Sequence, residues 1–332
     1  MIISRTPFRI SFFGGGTDYP AFYEENGGAV LSTSMNKYCY VTCRYLPPFF
    51  DYKYAIRYRT REETQSISEI KHPSVRECLN FVNLDCGIEI QHNADLPAMS
   101  GLGSSSAFTV GLLNALYALK GKMRTKRQLA LDAIHVEQDR IKENVGSQDQ
   151  TIAAFGGFNK IEFGGPQKIT VSPVTIEQDK LDSLQDHLML FFTGFSRNAS
   201  EIAGEQIRKT PENKRELKAM VEMVEEALNI LNGSTDRLMD FGKLLHETWQ
   251  IKRSLTPHIT NSFIDEAYEV AMEAGALGGK LLGAGGWGFM LFFVKPELQP
   301  RVKEKLGKLL HVPFRFENLG SQIIYYAPED NF

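Results

Sequence analysis

Residues 96–107 read Leu96-Pro-Ala-Met-Ser-Gly-Leu-Gly-Ser-Ser-Ser-Ala107 and contain a glycine-serine loop, residues 101–106. The loop runs directly into residues 104–119, whose apolar side chains recur at helical spacing before Gly121. Unpaired N–H groups and the helix dipole at such a helix start attract anions, and glycines let a phosphate approach the backbone. The stretch therefore predicts a phosphate site. The alternative is a tight turn in which Ser104 only caps the helix. It is not a Walker A loop, because the terminal Gly-Lys-Ser/Thr is absent.

A second glycine-rich segment, Gly283-Ala-Gly-Gly-Trp-Gly288, matches the pattern G-x-G-x-x-G. A dinucleotide-binding fingerprint must open a helix, whereas the apolar residues 289–294 predict a strand. We therefore expect a glycine loop between two strands that contacts a ligand. A plain hairpin remains an alternative, and a nicotinamide-dependent oxidoreductase would require a helix after Gly288.

The N-terminal segment Pro7-Phe-Arg-Ile-Ser-Phe-Phe-Gly-Gly-Gly-Thr-Asp-Tyr19 places one cation, Arg9, within an apolar strand. An arginine in that setting needs a partner or a ligand. The glycine run then leads to Asp18. The alternative for Asp18 is a helix cap, with Pro20 in the first turn.

Two further carboxylates come after the predicted helix 104–119. Glu137 is followed by Gly146-Ser-Gln-Asp149. An isolated aspartate after a helix is usually a turn residue, and a single helical glutamate is usually solvated. Together with Arg9 and the glycine-serine loop, however, two carboxylates supply the groups that phosphoryl transfer uses.

Composition limits the possible partners. The chain has 332 residues and a net charge of -3, so no overall positive field favours nucleic acid. The longest apolar run, residues 288–294, is shorter than the roughly 20 residues that span a bilayer, so no membrane partner is expected. The four cysteines lack metal-ligand spacing, and the first residues lack a secretory signal. We expect a cytoplasmic protein that holds a small-molecule ligand in a local site.

The apolar patterns also predict the organisation of the chain. Residues 29–34 and 38–45 are rich in β-branched and aromatic residues, which is typical of strands. Residues 166–182 show no clear period and are the expected joint between two domains. The predicted domains are residues 1–175 and 176–332.

Taken in their order along the chain, these segments resemble the motifs of the GHMP kinases. The family is named for galactokinase, homoserine kinase, mevalonate kinase and phosphomevalonate kinase. Residues 7–18 are similar to the first motif of the family, residues 96–107 to the second and residues 280–288 to the third. The resemblance implies an α+β fold, with an N-terminal domain like ribosomal S5 domain 2 and a ferredoxin-like C-terminal domain. It also implies an active site in the cleft between them that uses ATP and Mg²⁺.

The resemblance assigns roles to individual residues. Asp149 would be the catalytic carboxylate, and Arg9 would lie beside the reacting oxygen. Ser105 and Glu137 would bind Mg²⁺. The implied ATP contacts are Gly101, Leu102, Gly103, Ser104, Ser105 and Ser106. The implied substrate contacts are Gly15, Gly16, Thr17, Asp18, Gly283 and Gly285. Arg197, in the short turn after the predicted strand that ends at Thr193, is the candidate contact for a phosphate on the sugar, and the alternative is a surface arginine.

Within the family, residues 9–20 and 193–200 look most like the bacterial D-glycero-D-manno-heptose 7-phosphate kinases. This implies an ATP-dependent sugar 1-kinase that phosphorylates the anomeric hydroxyl of a sugar phosphate. Galactokinase carries a Glu-His pair where this chain has Gly15 and Gly16, which argues against that type of sugar site. The alternatives are a free-sugar 1-kinase of the fucokinase or galactokinase type and a catalytically silent sugar-binding member of the fold.

Overall fold

In this computed structural model, the structure describes residues 1–98, 100–164, 168–195, 199–234 and 237–328. The helices in these ranges are α1 (Pro20–Asn26), α2 (Pro73–Val82), α3 (Ser104–Leu119), α4 (Lys126–Ile134), α5 (Gln148–Phe155), α6 (Gln178–Asp186), α7 (Ala199–Arg208), α8 (Lys214–Asn232), α9 (Leu238–Ser254), α10 (Ser262–Ala274) and α11 (Gln299–Lys305). The strands are β1 (Ile2–Phe13), β2 (Gly28–Tyr45), β3 (Tyr54–Arg57), β4 (Arg61–Thr64), β5 (Ile88–Ala94), β6 (Phe158–Phe163), β7 (Ile169–Pro173), β8 (Leu188–Phe192), β9 (Ala276–Leu281), β10 (Phe289–Val294), β11 (Leu310–His311), β12 (Phe316–Glu317) and β13 (Gln322–Tyr326).

The first sheet is built around β1 and β2, which pair antiparallel along their whole length. The strand order is β13-β1-β2-β5-β3-β4, and β6, β7 and β12 extend the sheet from β2. The two strands predicted at 29–34 and 38–45 form one strand of 18 residues. The gap between them stays extended because Met35 pairs with Phe316 and the N–H of Asn36 donates to the carbonyl oxygen of Arg315 at 2.9 Å.

Helix α3 covers this sheet and has the bounds that the apolar spacing predicts. It packs against β1 and β2 and buries Leu112, Leu113 and Leu116 completely. A helix that is apolar on nearly every side must lie inside the protein. Its start is therefore fixed relative to β1, the strand that carries Arg9.

The second sheet has the order β11-β8-β10-β9, and α9 and α10 pack against β9. Trp249 and Phe292 are fully buried in the core between them. Strand β10 begins directly after Gly288, so the segment 283–288 connects two strands as expected. The helix that a nicotinamide-binding loop requires is absent at this position, which excludes that alternative. None of the helices in the described ranges is long and apolar enough to cross a membrane.

The last residues of the chain do not pack with the rest of the predicted domain 176–332. After Val312 the chain returns to the first sheet, where β12 pairs with β2 and β13 pairs with β1. The edge of β1 offers unpaired backbone groups, and β13 satisfies them. The aperiodic stretch 166–182 also contains β7, which belongs to the first sheet. The boundary near residue 175 remains a prediction, but the last strands lie with the first sheet.

Candidate active site

An arginine and an aspartate from distant parts of the chain form the centre of the site. The Nε and Nη2 atoms of Arg9 donate to the two carboxylate oxygens of Asp149 at 2.7 and 2.9 Å. Its Nη1 atom donates to the carbonyl oxygen of Gly101 at 2.7 Å. The Arg9 side chain is 6% exposed and that of Asp149 is 25% exposed. A two-point contact of this kind is strong and specific in geometry, so it fixes the Asp149 carboxylate beside the glycine-serine loop.

The glycine-serine loop bends at glycines with positive φ, 76° at Gly101 and 73° at Gly103. A Cβ atom on Gly101 would lie 2.5 Å from the carbonyl oxygen of Leu282, so a larger residue does not fit. Gly103 occupies the helix-cap position of α3, and no side chain makes the cap hydrogen bond. The alternative that Ser104 is merely a helix cap is therefore wrong. The glycines and all three serines of the loop line a cavity of about 400 Å³.

The backbone of the glycine-serine loop contacts the backbone of the glycine-rich segment 283–288. A Cβ atom on Gly283 would lie 2.5 Å from the Cα atom of Gly101. Gly283 lines the cavity, but Gly285 does not, because it packs against the backbone of Ile259. Leu102 does not line the cavity either, since its side chain is completely buried in the core. Neither residue contributes a side chain to the cavity, and their roles as ligand contacts stay predictions.

Asp18 reaches the cavity from the turn after β1. Its carboxylate accepts hydrogen bonds from the backbone N–H groups of Gly16 at 2.9 Å and Gln148 at 3.3 Å. Burial raises the pKa of Asp18, and these two hydrogen bonds oppose the rise. A Cβ atom on Gly146 would lie 1.9 Å from Asp18 Oδ2, so any side chain at position 146 would collide with the Asp18 carboxylate. Tyr19 occupies the helix-cap position of α1, which shows that Asp18 is not a helix cap.

Some neighbours of Asp18 line the cavity, and others stabilise the turn that carries it. Gly15 and Gly16 line the cavity. Thr17, an expected substrate contact, does not, because it is completely buried. Its hydroxyl donates to the carbonyl oxygen of Gly14 at 2.8 Å and accepts from the N–H of Ala29 at 3.2 Å. Thr17 therefore stabilises the turn that presents Asp18.

Glu137 lies behind the loop, in a π-helical turn (His135–Ile141), and is completely buried. Its Oε2 atom accepts from the Ser106 hydroxyl at 2.8 Å and from the side-chain amide of Gln150. Its Oε1 atom has no hydrogen-bond partner among the described residues. Burial raises the pKa of Glu137 to about 7. The structure thus pairs Glu137 with Ser106, whereas Ser105 is exposed and lines the cavity.

Two buried lysines that the sequence analysis missed also line the cavity. The ammonium of Lys252 in α9 donates to the carbonyl oxygen of Gly283 at 2.5 Å, and that of Lys280 in β9 donates to the carbonyl oxygen of Phe12 at 2.8 Å. A signal for Lys252 was present, because it continues the apolar stripe of Leu245 and Trp249 at helical spacing. A charged residue on the buried face of a helix indicates a site.

Other polar residues that the sequence analysis did not identify also line the cavity. Glu143, Asn144, Gln148 and Gln206 line it together with Ser200. The expected contact Arg197 lies outside the described residues.

Comparisons with known proteins agree with this geometry. Residues 70–157 match the GHMP kinases N terminal domain, and residues 223–312 match the GHMP kinases C terminal domain. Together these matches cover more than half of the chain. A curated relative, D-glycero-alpha-D-manno-heptose 7-phosphate kinase of Campylobacter jejuni, is 28% identical over 319 residues, which cover 92% of this chain and 93% of that protein.

Solved structures share the fold along almost the entire chain. D-glycero-D-manno-heptose 1-phosphate kinase from Bacteroides thetaiotaomicron superimposes with a TM-score of 0.73 at 24% identity and covers 98% of this chain and 99% of its own. Phosphomevalonate kinase from Streptococcus pneumoniae, in complex with phosphomevalonate and AMPPNP, superimposes with a TM-score of 0.76 at 13% identity and covers 96% of this chain and 100% of its own. The expected two-domain α+β architecture is thereby confirmed. The chain belongs to the GHMP kinase family, whose members are ATP-dependent phosphotransferases.

Proposed function

We propose that this chain is an ATP-dependent sugar 1-kinase that phosphorylates the anomeric hydroxyl of D-glycero-D-manno-heptose 7-phosphate. The observation that carries the proposal is the Arg9–Asp149 pair, which contacts the glycine-serine loop and lines the same cavity as the buried carboxylate of Asp18. An anion-binding loop on one side and hydrogen-bond acceptors for hydroxyl groups on the other suit transfer from ATP to a sugar.

Each residue then has a defined part in the transfer. The N–H groups at the start of α3 bind the phosphates of ATP. Asp18 accepts hydrogen bonds from sugar hydroxyls and fixes the ring. Asp149 orients the reacting hydroxyl and takes its proton as the new O–P bond forms, while the bond from the γ-phosphorus to ADP breaks. Arg9 holds Asp149 in place and stabilises negative charge on the group in transfer.

The residues present also fit a magnesium ion. Mg²⁺ in kinases is usually held by one or two carboxylates together with substrate phosphates. Glu137 offers a buried carboxylate with one unpartnered oxygen, and the hydroxyls of Ser105 and Ser106 lie in the same loop. The described residues contain no cluster of three or more His, Cys, Asp and Glu side chains suited to a metal, so the nucleotide would complete the ligand set. When bound, Mg²⁺ would neutralise charge on the phosphates.

The substrate part of the proposal is supported by the Campylobacter jejuni relative, whose name specifies a heptose 7-phosphate. The test is a kinase screen of C6 and C7 sugars, each with and without a terminal phosphate, read by ADP release. Heptose 7-phosphate should be used far better than free heptose or galactose. Equal kcat/KM for phosphorylated and free sugars would favour a free-sugar 1-kinase instead, and no sugar-dependent ADP release would favour a silent binding protein.

A sugar that already carries a phosphate needs a cationic contact away from the ATP loop, and we assign this role to Arg197. Arginine can bind a phosphate at two points, and Ala199 and Ser200 shortly after it line the cavity. Arg197→Ala should remove most of the preference for heptose 7-phosphate while sparing activity on the free sugar, as measured by kcat/KM for both. Arg208→Ala, at the far end of α7, is the matched control. An unchanged preference in Arg197→Ala would show that Arg197 is a surface residue without this role.

A further inference from the structure

Lys252 is a buried cation that no carboxylate neutralises. The residue is 4% exposed, and its ammonium donates to the carbonyl oxygens of Gly283 at 2.5 Å and Leu281 at 3.3 Å. Among the residues that the structure describes, no carboxylate forms an ion pair with it. An ammonium group has three N–H donors, so one remains for a ligand in the cavity that Lys252 lines.

The position of this ammonium relative to the phosphate loop follows from the backbone contacts. Lys252 binds the carbonyl oxygen of Gly283, and Arg9 binds that of Gly101. These two glycines touch, since a Cβ atom on Gly283 would lie 2.5 Å from the Cα atom of Gly101. The two cations are therefore anchored on adjoining backbone, Arg9 from the first half of the chain and Lys252 from the second.

The two cations differ in how much charge they have available. Both carboxylate oxygens of Asp149 bind Arg9, which compensates much of its charge. The direct hydrogen-bond partners of the Lys252 ammonium are two carbonyl oxygens, while Asp18 and Asp149 act on its charge without forming an ion pair with it. A buried charge without a counter-ion is costly, and the cost is recovered when an anion binds beside it. The terminal phosphate of a nucleotide held at the adjoining glycine-serine loop would supply such an anion.

We propose that Lys252 is a catalytic residue that contacts the phosphoryl group as it passes from ATP to the acceptor. The proposal rests on the phosphotransferase function proposed above but not on the identity of the sugar. In the transfer, the bond between the γ-phosphorus and the bridging oxygen breaks and its electrons remain on ADP. The acceptor oxygen bonds to phosphorus and its proton passes to Asp149. The ammonium of Lys252 stabilises the negative charge on the non-bridging oxygens during this step.

The ionisation of Lys252 gives the proposal a distinctive pH dependence. Burial and, to a smaller extent, the charge of Arg9 lower the pKa of Lys252 to about 8, and Asp18 and Asp149 oppose the fall. Lys280 is the other charged group that faces it. Because the charged form is the active one, kcat/KM for ATP should fall as the pH rises above about 8, by about tenfold per unit. An arginine at position 252 keeps its charge throughout this range, so Lys252→Arg should abolish the fall.

The decisive experiment compares the affinities for ADP and AMPPNP, measured by calorimetry without any acceptor. Lys252→Met should bind ADP as the wild type does, but its preference for AMPPNP over ADP should drop about tenfold, because only AMPPNP carries the third phosphate. Its kcat/KM with the acceptor found in the screen should fall by about tenfold or more. Lys243→Met is the matched control, since Lys243 lies on the exposed side of the same helix and pairs with Asp240.

Three results would overturn the proposal. Equal weakening of ADP and AMPPNP in Lys252→Met would mean that Lys252 only supports the Gly283 loop, and an unchanged preference would mean that it does not meet the third phosphate. If Lys252→Met does not fold, Lys252→Arg decides, and an alkaline fall equal to that of the wild type counts against Lys252. A wild type that uses no sugar would refute the proposed substrate while leaving the nucleotide comparison valid.

Discussion

Asp149→Asn is expected to lower kcat by about 10²-fold or more while nucleotide affinity stays near that of the wild type. Asparagine has the same shape, but it cannot take the proton of the acceptor hydroxyl. The Asp149 carboxylate borders the cap of α3, since a Cβ atom on Gly103 would lie 3.0 Å from its Oδ2 atom, but both of its oxygens accept from Arg9 and not from the N–H groups of the loop, so the ATP contacts should survive. Steady-state kinetics with the acceptor from the screen, together with ADP binding, measure both quantities.

This variant needs a control for folding, because it removes the counter-ion of a buried arginine. Arg9 is 5% exposed, and loss of the Asp149 charge should lower the melting temperature. Asp139→Asn is a suitable comparison, since Asp139 is an exposed carboxylate whose only ion pair among the described residues is with His135 at 2.7 Å. Its kcat should match the wild type. Normal turnover in a folded Asp149→Asn protein would remove Asp149 from the mechanism.

Local signals were sufficient for the elements that carry the site. The bounds of α3 (Ser104–Leu119) and β10 (Phe289–Val294) follow from apolar spacing and flanking glycines, which act within a few residues. The sequence predicted only that Arg9 needs a partner or a ligand, because an arginine in an apolar strand cannot stay unpaired. It did not identify Asp149 as that partner. The two residues lie 140 positions apart in the chain, so the geometry of their contact is not encoded locally.

Two other features could not be predicted because they depend on long-range packing. The choice between Ser105 and Ser106 as the partner of Glu137 is set by the rotation of α3 about its axis, and that rotation is fixed by the sheet beneath it. The return of β12 and β13 to the first sheet likewise follows from the open edge of β1 and the exposed groups of β2, not from the composition of the last residues. Short strands contain too few residues for their hydrophobic periodicity to indicate which strand they pair with.

Glu137→Gln is the second variant with a large expected effect, and it acts on the metal requirement. Glutamine keeps an acceptor for the Ser106 hydroxyl but removes the negative charge from a completely buried site. If Glu137 holds Mg²⁺, the concentration that gives half the maximal rate should rise by about 10- to 100-fold, with little change in KM for the sugar. A titration of the rate with free Mg²⁺ at saturating ATP measures this.

The matched control for Glu137→Gln is Asp132→Asn, because Asp132 is also a buried carboxylate and does not line the cavity. Its partners are the Tyr117 hydroxyl at 2.7 Å and the guanidinium of Arg124 at 3.7 Å. A general loss of stability should appear in both variants, whereas a shift in the Mg²⁺ titration should appear only in Glu137→Gln. Side chains of Thr109, Ser106 and Gln150 face the Glu137 carboxylate, yet its Oε1 atom has no hydrogen-bond partner among the described residues. Because most buried polar atoms have a partner, this free oxygen is the reason to expect the difference. An unchanged titration in Glu137→Gln would assign Glu137 to holding Ser106 and Gln150 in place, and the metal would then have to be bound by the loop serines and the nucleotide.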